Sequence, residues 1–468
     1  VTAYPSREDP VVRAMSESVG GPMGERATRH RWWTPVRALL LLTAVVISLG
    51  MLQKAPCSVA EGKDQNWTYS HMCYTDLRPL YVQRGLAERA WPYSDDEQTR
   101  DRYEVMEYPV GIAYWAWGTA WLTQAIDGLP DLSERYRLPV DDLWGLPEVS
   151  SEITRFLLVN ALGFAVLALL SVWLMANTHR DRPWDAAAFA LSPALLATAL
   201  INWDLLAVAF VAAALWAWAR ERPVLTGVMI GLGTAAKLYP LFLLGGILIL
   251  CWRGRRWREF AITVGAAVAS WVVANLPAYL TGPEQWKVFW SFNADRGADL
   301  GSLWLLADQA GDIGFAASTV NDWSWILFVG WCLGVLVLGL RAPESPRLAQ
   351  LGFLIVVGFL LVNKVYSPQY VLWLLPLAVL ARPRWRDQLI WQGCELFYFC
   401  SVWWYLGGYL EPAGGGDAGF YWLAILVRVL GELYLAGVIV RDMYRPAHDP
   451  VKAEPQSVIS TRSNAVAV

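Results

Sequence analysis

Long apolar runs recur from one end of this chain to the other, and they limit its fold before any single residue is considered. In order they are Ala38–Leu52, Tyr108–Ile126, Ile153–Ala176, Asp185–Ile201, Leu205–Ala219, Val224–Ala236, Leu238–Trp252, Phe260–Tyr279, Trp323–Leu340, Leu348–Val362, Tyr370–Leu380, Leu389–Leu406 and Phe420–Val440. Inside a bilayer no water can pair a free N–H or C=O, so a run that crosses must pair its own backbone as an α-helix. The chain is 56% hydrophobic and only 17% charged, and the charges cluster between the runs. A soluble protein carries about a quarter charged residues. The expectation is an all-α, polytopic membrane bundle rather than several soluble domains. A net charge of −3 gives no reason to expect nucleic acid. Many of the 28 tryptophans, among them Trp32, Trp33, Trp184, Trp252 and Trp257, fall near run ends, where an amphipathic ring suits the membrane–water interface.

Basic residues set the sidedness, since Lys and Arg flanking short loops stay in the cytoplasm. Arg29, Arg31 and Arg37 precede the first run, so that run exits outward and a long loop, 53–152, lies outside. His179, Arg180 and Arg182 follow Ile153–Ala176, which must therefore run inward. The acidic stretch Asp127–Glu152 is then outside, and so are both ends of Tyr108–Ile126, which reads as a juxtamembrane or re-entrant segment. The alternative, an ordinary spanning helix, breaks the alternation elsewhere. The later basic clusters (Arg220–Arg222, Arg253–Arg258, Arg341, Arg382–Arg386, Arg441–Arg445) all land inside. About twelve spans result, with both termini cytoplasmic. The domain reading is a disordered tail over 1–34, a bundle over 35–445 with a second outer loop at 280–322, and a disordered tail over 446–468. The runs 224–236 and 238–252 are short for two full spans of about 20 residues each and suit a broken helix lining a cavity.

On this topology one face collects the unusual polar groups. Asp76, Arg78, Glu107, Asp204, Lys237, Arg296, Lys364 and Gln369 all fall at or near the outer surface, and ionisable groups at membrane depth are expensive enough to be functional candidates. Asp76 in Tyr74-Thr-Asp-Leu-Arg-Pro could deprotonate an acceptor hydroxyl; equally it could cap a helix or pair with Arg78. Glu107 could orient substrate or be a boundary charge. Asp204 stands at a helix start, where a carboxylate caps amides and complements the dipole. Lys237 could meet a phosphate or snorkel to the interface. Asn363-Lys364-Val-Tyr-Ser-Pro-Gln369 is dense in groups suited to sugar or phosphate, and Arg296 is a further phosphate candidate. His71 is near Asp76 in sequence and could assist proton transfer or simply be solvated. Cys57 and Cys73 share the outer loop and could form a disulfide or remain thiols; Cys251, Cys332, Cys394 and Cys400 read as packing residues. Asp-x-Asp, Walker and zinc spacings are absent, so no metal or cofactor is expected. Asn66-Trp-Thr68 matches a glycosylation sequon.

Taken together, the long first outer loop with its early Asp and the many later spans resemble the GT-C glycosyltransferase architecture. Tyr74-Thr-Asp76 with Glu107-Tyr-Pro109, Gly231-Leu-Gly-Thr-Ala-Ala-Lys-Leu-Tyr-Pro240 and Lys364-Val-Tyr-Ser-Pro-Gln-Tyr370 resemble glycosyltransferase family 87 over most of residues 35–445. This actinobacterial group includes polyprenyl-phosphate-mannose-dependent mannosyltransferases of envelope glycolipids. The resemblance implies a polyprenyl-phosphate sugar donor used on the outer face, a lipid or glycan acceptor, inversion without a required metal, Asp76 as base, and Lys237 and Lys364 as phosphate or sugar ligands. Cell-wall synthesis proteins are conceivable partners. The rivals are a transporter or lipid flippase, which would show paired halves with interrupted helices, and an inactive scaffold of a cell-wall synthase.

Overall fold

The computed structural model describes residues 32–58, 65–126, 128–179, 181–410 and 418–452. Most of both expected tails, Arg180 and the loop around Gly414–Gly416 lie outside the described residues. Among them all regular secondary structure is helical, with no strand. The α-helices run α1 Pro35–Ser58, α2 Gln65–Ser70, α3 Leu77–Gln83, α4 Glu97–Arg102, α5 Val110–Ile126, α6 Pro147–Ala176, α7 Ala187–Ala190, α8 Pro193–Thr198, α9 Asp204–Ala219 and α10 Pro223–Ala236. They continue with α11 Leu243–Gly254, α12 Trp257–Thr281, α13 Pro283–Asp295, α14 Leu303–Gly311, α15 Ala317–Arg341, α16 Leu348–Val362, α17 Val371–Ala381, α18 Trp385–Leu406 and α19 Gly419–Tyr444.

Among the described residues, five helices are long and apolar enough to cross a membrane: α1, α6, α12, α15 and α19. Shorter apolar helices fill the space between them. All of α17 is buried, as expected of a helix apolar on every side, and it packs on α16 and α9. By contrast α12 and α15 leave most of their surface outward, including Val268, Val273, Ile326 and Val329; such faces suit lipid.

Several expected segments are built differently. The run Asp185–Ile201 is not one helix but a 3₁₀ turn, α7 and α8 in succession. Pro193 lacks the N–H that an uninterrupted helix needs, and Ser192 restarts the chain by accepting from the Leu195 N–H at 3.0 Å. The expected loop 280–322 holds two helices, α13 and α14, each begun by local chemistry: Pro283 at the first turn, and Ser302 accepting from Leu305 N–H at 2.9 Å. Between α10 and α11 the chain breaks at Lys237, whose backbone is extended, before a 3₁₀ turn at Tyr239–Phe242. Tyr108–Ile126 contains a real helix, α5, packed on α6 and α10.

Close approach of α10 to α12 needs glycine. A methyl at Gly227 would strike the Thr263 carbonyl oxygen, and one at Gly231 would strike Ala267 O and Ser270 Oγ. Four residues apart, these glycines form the small-residue stripe that lets two membrane helices touch backbone to backbone. The contact holds the α10 end, and with it Lys237, against the rest of the bundle.

Several arginines of the turns between helices bond to one another's neighbourhoods. Arg253 donates to the carbonyls of Gly339, Leu340 and Ala342, Arg347 to Ala381 O at 2.6 Å, and Arg382 to Asp442 at 2.7 Å. These basic turns meet at one end. Helix α16 leads from Arg347 at that end to Asn363 at the other, roughly 22 Å away for 15 residues, where the candidate site lies.

Candidate active site

The segment that carries Asp76 is fastened to the bundle before it presents any chemistry. Cys57, at the end of α1, is joined to Cys73 in a disulfide with Cα atoms 5.7 Å apart. Lys54 of α1 donates to Tyr74 O at 2.8 Å. Beyond them Thr75 Oγ1 and the Asp76 N–H both donate to Ile201 O, at 3.1 and 2.9 Å. Asp76 is thereby held against the turn between α8 and α9. It begins α3, yet its side chain makes no capping bond. Instead Tyr108 Oη donates to Asp76 Oδ2 at 2.8 Å.

Asp76 borders a cavity of about 690 Å³, a size that holds a substantial ligand. Of the eight sequence candidates, Asp76, Glu107, Lys237, Arg296, Lys364 and Gln369 line it. Five separate stretches of chain supply them, which no linear motif could reveal. The other two stand elsewhere. Arg78 donates to Cys57 O and does not line the cavity, because α3 turns its side chain back toward the disulfide. Asp204 is fully buried behind the wall, with its carboxylate 2.9 Å from Lys237 Nζ. It neither caps a helix nor borders the open space; it is the counter-ion of a lysine.

Glu107, Lys237, Arg296 and Lys364 also have protein partners. Glu107 pairs with Arg84 at 3.0 Å. Lys237 Nζ lies 4.7 Å above the Tyr108 ring, a cation–π placement. Arg296 pairs with Asp299 at 2.6 Å. Lys364 donates to Asn293 O and to Asn321 Oδ1. Gln369 is buried, and its Oε1 has no hydrogen-bond partner among the described residues. His71 stacks on Trp67, ring centroids 3.8 Å apart. Among the described residues no group of three or more His, Cys, Asp or Glu is placed to hold a metal.

Burial pushes the Asp76 carboxyl above the usual carboxylate range; hydrogen bonds from Tyr108 and Tyr74 and the Lys237 charge work the other way. A carboxylate lifted toward neutrality is a stronger base than one in water. Burial, and then the Asp76 charge, raise Tyr74 and Tyr108, so both phenols remain donors. Burial, followed by the Arg296 charge, lowers Lys364.

Reasoning from charge alone passes over the aromatic part of this site. Tyr74 and Tyr108 flank Asp76 inside the very motifs that single it out. Tyr69, Tyr74 and Trp403 make a wall of the same cavity: Tyr69–Trp403 centroids are 6.0 Å apart and Tyr74–Trp403 5.4 Å. Trp403 comes from α18, over 300 residues away, and nothing in the sequence links it to Asp76. The position of Tyr108 beside Glu107 and Pro109 is the one signal that could have found its role.

The chain matches no curated protein. A family model does match, over residues 146–363. That stretch contains Asp204, Lys237 and Arg296; Asp76, Lys364 and Gln369 lie outside it. The matching family is Glycosyltransferase family 87, and the match, together with the five apolar helices, supports reading this chain as a membrane glycosyltransferase.

Proposed function

We propose that the protein moves a hexose, mannose in the first instance, from a polyprenyl-phosphate donor to a hydroxyl of an envelope glycolipid or polysaccharide on the extracytoplasmic face, with inversion and no required metal. The observation that carries this reading is the cavity itself. One general-base candidate, Asp76, shares it with three cations from distant parts of the chain, Lys237, Arg296 and Lys364.

In the proposed step Asp76 accepts the acceptor's hydroxyl proton. The acceptor oxygen attacks the anomeric carbon, the C–O bond to phosphate breaks, and polyprenyl phosphate departs with the electron pair. Cations preorganised where that charge grows stabilise the transition state. Arg296 and Lys364 are the proposed phosphate ligands. Lys237, already neutralised by Asp204, is proposed to orient Tyr108 and Asp76. The Tyr69–Tyr74–Trp403 wall, next to Asp76, is where the acceptor sugar is proposed to rest. The apolar side chains Trp325, Phe328 and Phe359 also line the cavity and suit the first isoprene units.

The test is transfer in nanodiscs. Wild type and Asp76→Asn are offered labelled polyprenyl-phosphate-mannose and polyprenyl-phosphate-arabinose with an envelope lipid extract. Product from wild type alone supports the reading and its base. Activity that survives Asp76→Asn removes Asp76 from that role, and no sugar release from either donor by folded protein favours the flippase or scaffold.

A further inference from the structure

A second group of ionisable side chains lies away from the cavity, buried between α18 and α19. Arg428 and Glu432 of α19 pair at 2.9 Å, with 1% and 0% of their side chains exposed. Glu395 of α18 is buried too; it accepts from Tyr366 Oη at 2.9 Å and from Trp391 Nε1 at 3.0 Å. Buried charge of this kind in a membrane bundle is costly and is retained for a reason.

What this group touches suggests the reason. Arg428 Nη2 donates to Gly301 O at 3.0 Å, and its guanidinium carbon lies 3.7 Å from the centroid of the Tyr366 ring. The Gly301 N–H donates to Tyr421 Oη at 2.9 Å, and Tyr398 Oη donates to Tyr366 O at 2.6 Å. Gly301 has φ +71°, and a methyl there would collide with Tyr398 Oη and Tyr366 O, so only glycine fits. Two backbone bonds then zip the segments held here to each other: Tyr366 N–H to Leu300 O at 2.6 Å and Asp299 N–H to Lys364 O at 2.8 Å. Asp299 also accepts from Arg296 Nε at 2.8 Å. The two zipped segments are those that carry Arg296 and Lys364 into the cavity.

We propose that Arg428, with Glu432, Glu395 and the Tyr366–Tyr398–Tyr421 hydroxyls, is a buried positioning node that locks segments 296–302 and 363–370 together and so presents Arg296 and Lys364 as one anion-binding pair. None of these residues lines the cavity. The part concerning donor phosphate rests on the proposed function; the part concerning the two segments does not.

The experiment has two readouts on the full chain in nanodiscs. Hydrogen–deuterium exchange follows the amides of Asp299, Gly301 and Tyr366, and binding of undecaprenyl phosphate is measured in parallel. The variants are Arg428→Met, Arg428→Lys and Tyr398→Phe, the last removing one oxygen from a packed site. Arg428→Met and Tyr398→Phe are expected to speed exchange in both segments together, by roughly five- to tenfold for each buried hydrogen bond lost. Exchange in α6 and α9 should stay at wild-type rates, and undecaprenyl phosphate binding should weaken by a comparable factor. Arg428→Lys should recover part of both. Exchange unchanged in the two segments, or raised equally across the bundle, overturns the node. If the segments loosen as expected but wild type binds no undecaprenyl phosphate, the node stands and the donor reading falls.

Discussion

Replacing Tyr108 with phenylalanine isolates one atom of the proposed chemistry. In the folded protein Tyr108 Oη donates to Asp76 Oδ2 at 2.8 Å, and that bond favours the ionised carboxylate against the burial that raises it. A proposed general base works only when deprotonated, so kcat/KM should rise with pH through an acid limb set by Asp76. Tyr108→Phe withdraws support from the ionised form, and the limb must move to higher pH. A hydrogen bond to a charged group contributes about 1.5–3 kcal/mol. Well below both limbs, the ionised fraction, and with it the rate, should therefore fall roughly 10- to 100-fold, since about 1.4 kcal/mol is a factor of ten. Above both limbs the variant should approach wild type. The assay is the pH dependence of sugar transfer from a labelled polyprenyl-phosphate donor in nanodiscs. An equal loss at every pH would mean that Tyr108 shapes the cavity without tuning Asp76. An unmoved limb would refute the assignment of that limb to Asp76.

Asp76→Asn keeps the shape and removes the proposed base; turnover should drop about 10²–10⁴-fold, and its acid limb should disappear. Lys237→Met leaves Asp204 charged and alone in a buried site, an imbalance that costs about 3–5 kcal/mol; thermal unfolding should show the loss, and adding Asp204→Asn should restore much of it. Gly231→Leu should fail to assemble or melt far below wild type, because its side chain meets the α12 backbone with no room to move; equal melting would refute the close-packed helix pair. Cys57→Ser with Cys73→Ser removes a link of separation 16, a loop size that contributes about 3 kcal/mol in the chain-entropy view; proteolysis of the segment around Tyr74 should quicken while the bundle resists.

Much of the site's raw material can be recognised in the chain, although its assembly cannot. Asp76 stands out as an early carboxylate in a long polar loop, and Lys237, Lys364 and Gln369 because ionisable or amide groups interrupt apolar sequence; all four border one cavity. Asp204 stands out for the same reason but is a hidden counter-ion; sequence shows a charge's cost without showing what offsets it. Arg78, two residues from Asp76, is turned away because α3 is helical there, so neighbours in sequence point in different directions. The node around Arg428 passes unnoticed for the opposite reason. Arg428 and Glu432 are four apart inside the run Phe420–Val440, a spacing that lets them neutralise each other on one helix face; only packing against Tyr366 and Gly301 makes them a buried support.

By itself the sequence determines the class of fold. Runs of apolar residues leave the backbone no partner but itself, and that requirement is local, so it is written locally. The break at Lys237 is local for the same reason, whereas the break at Pro193 and the helix start at Ser302 fall where apolarity alone reads one run and a plain loop. Tertiary structure alone decides which face of Asp76 meets Tyr108, that Trp403 walls the space beside it, and that loops from α13–α14 and α16–α17 are pinned as one unit. Those facts depend on how helices pack across hundreds of residues, where burial and shape, rather than spacing along the chain, choose the partner.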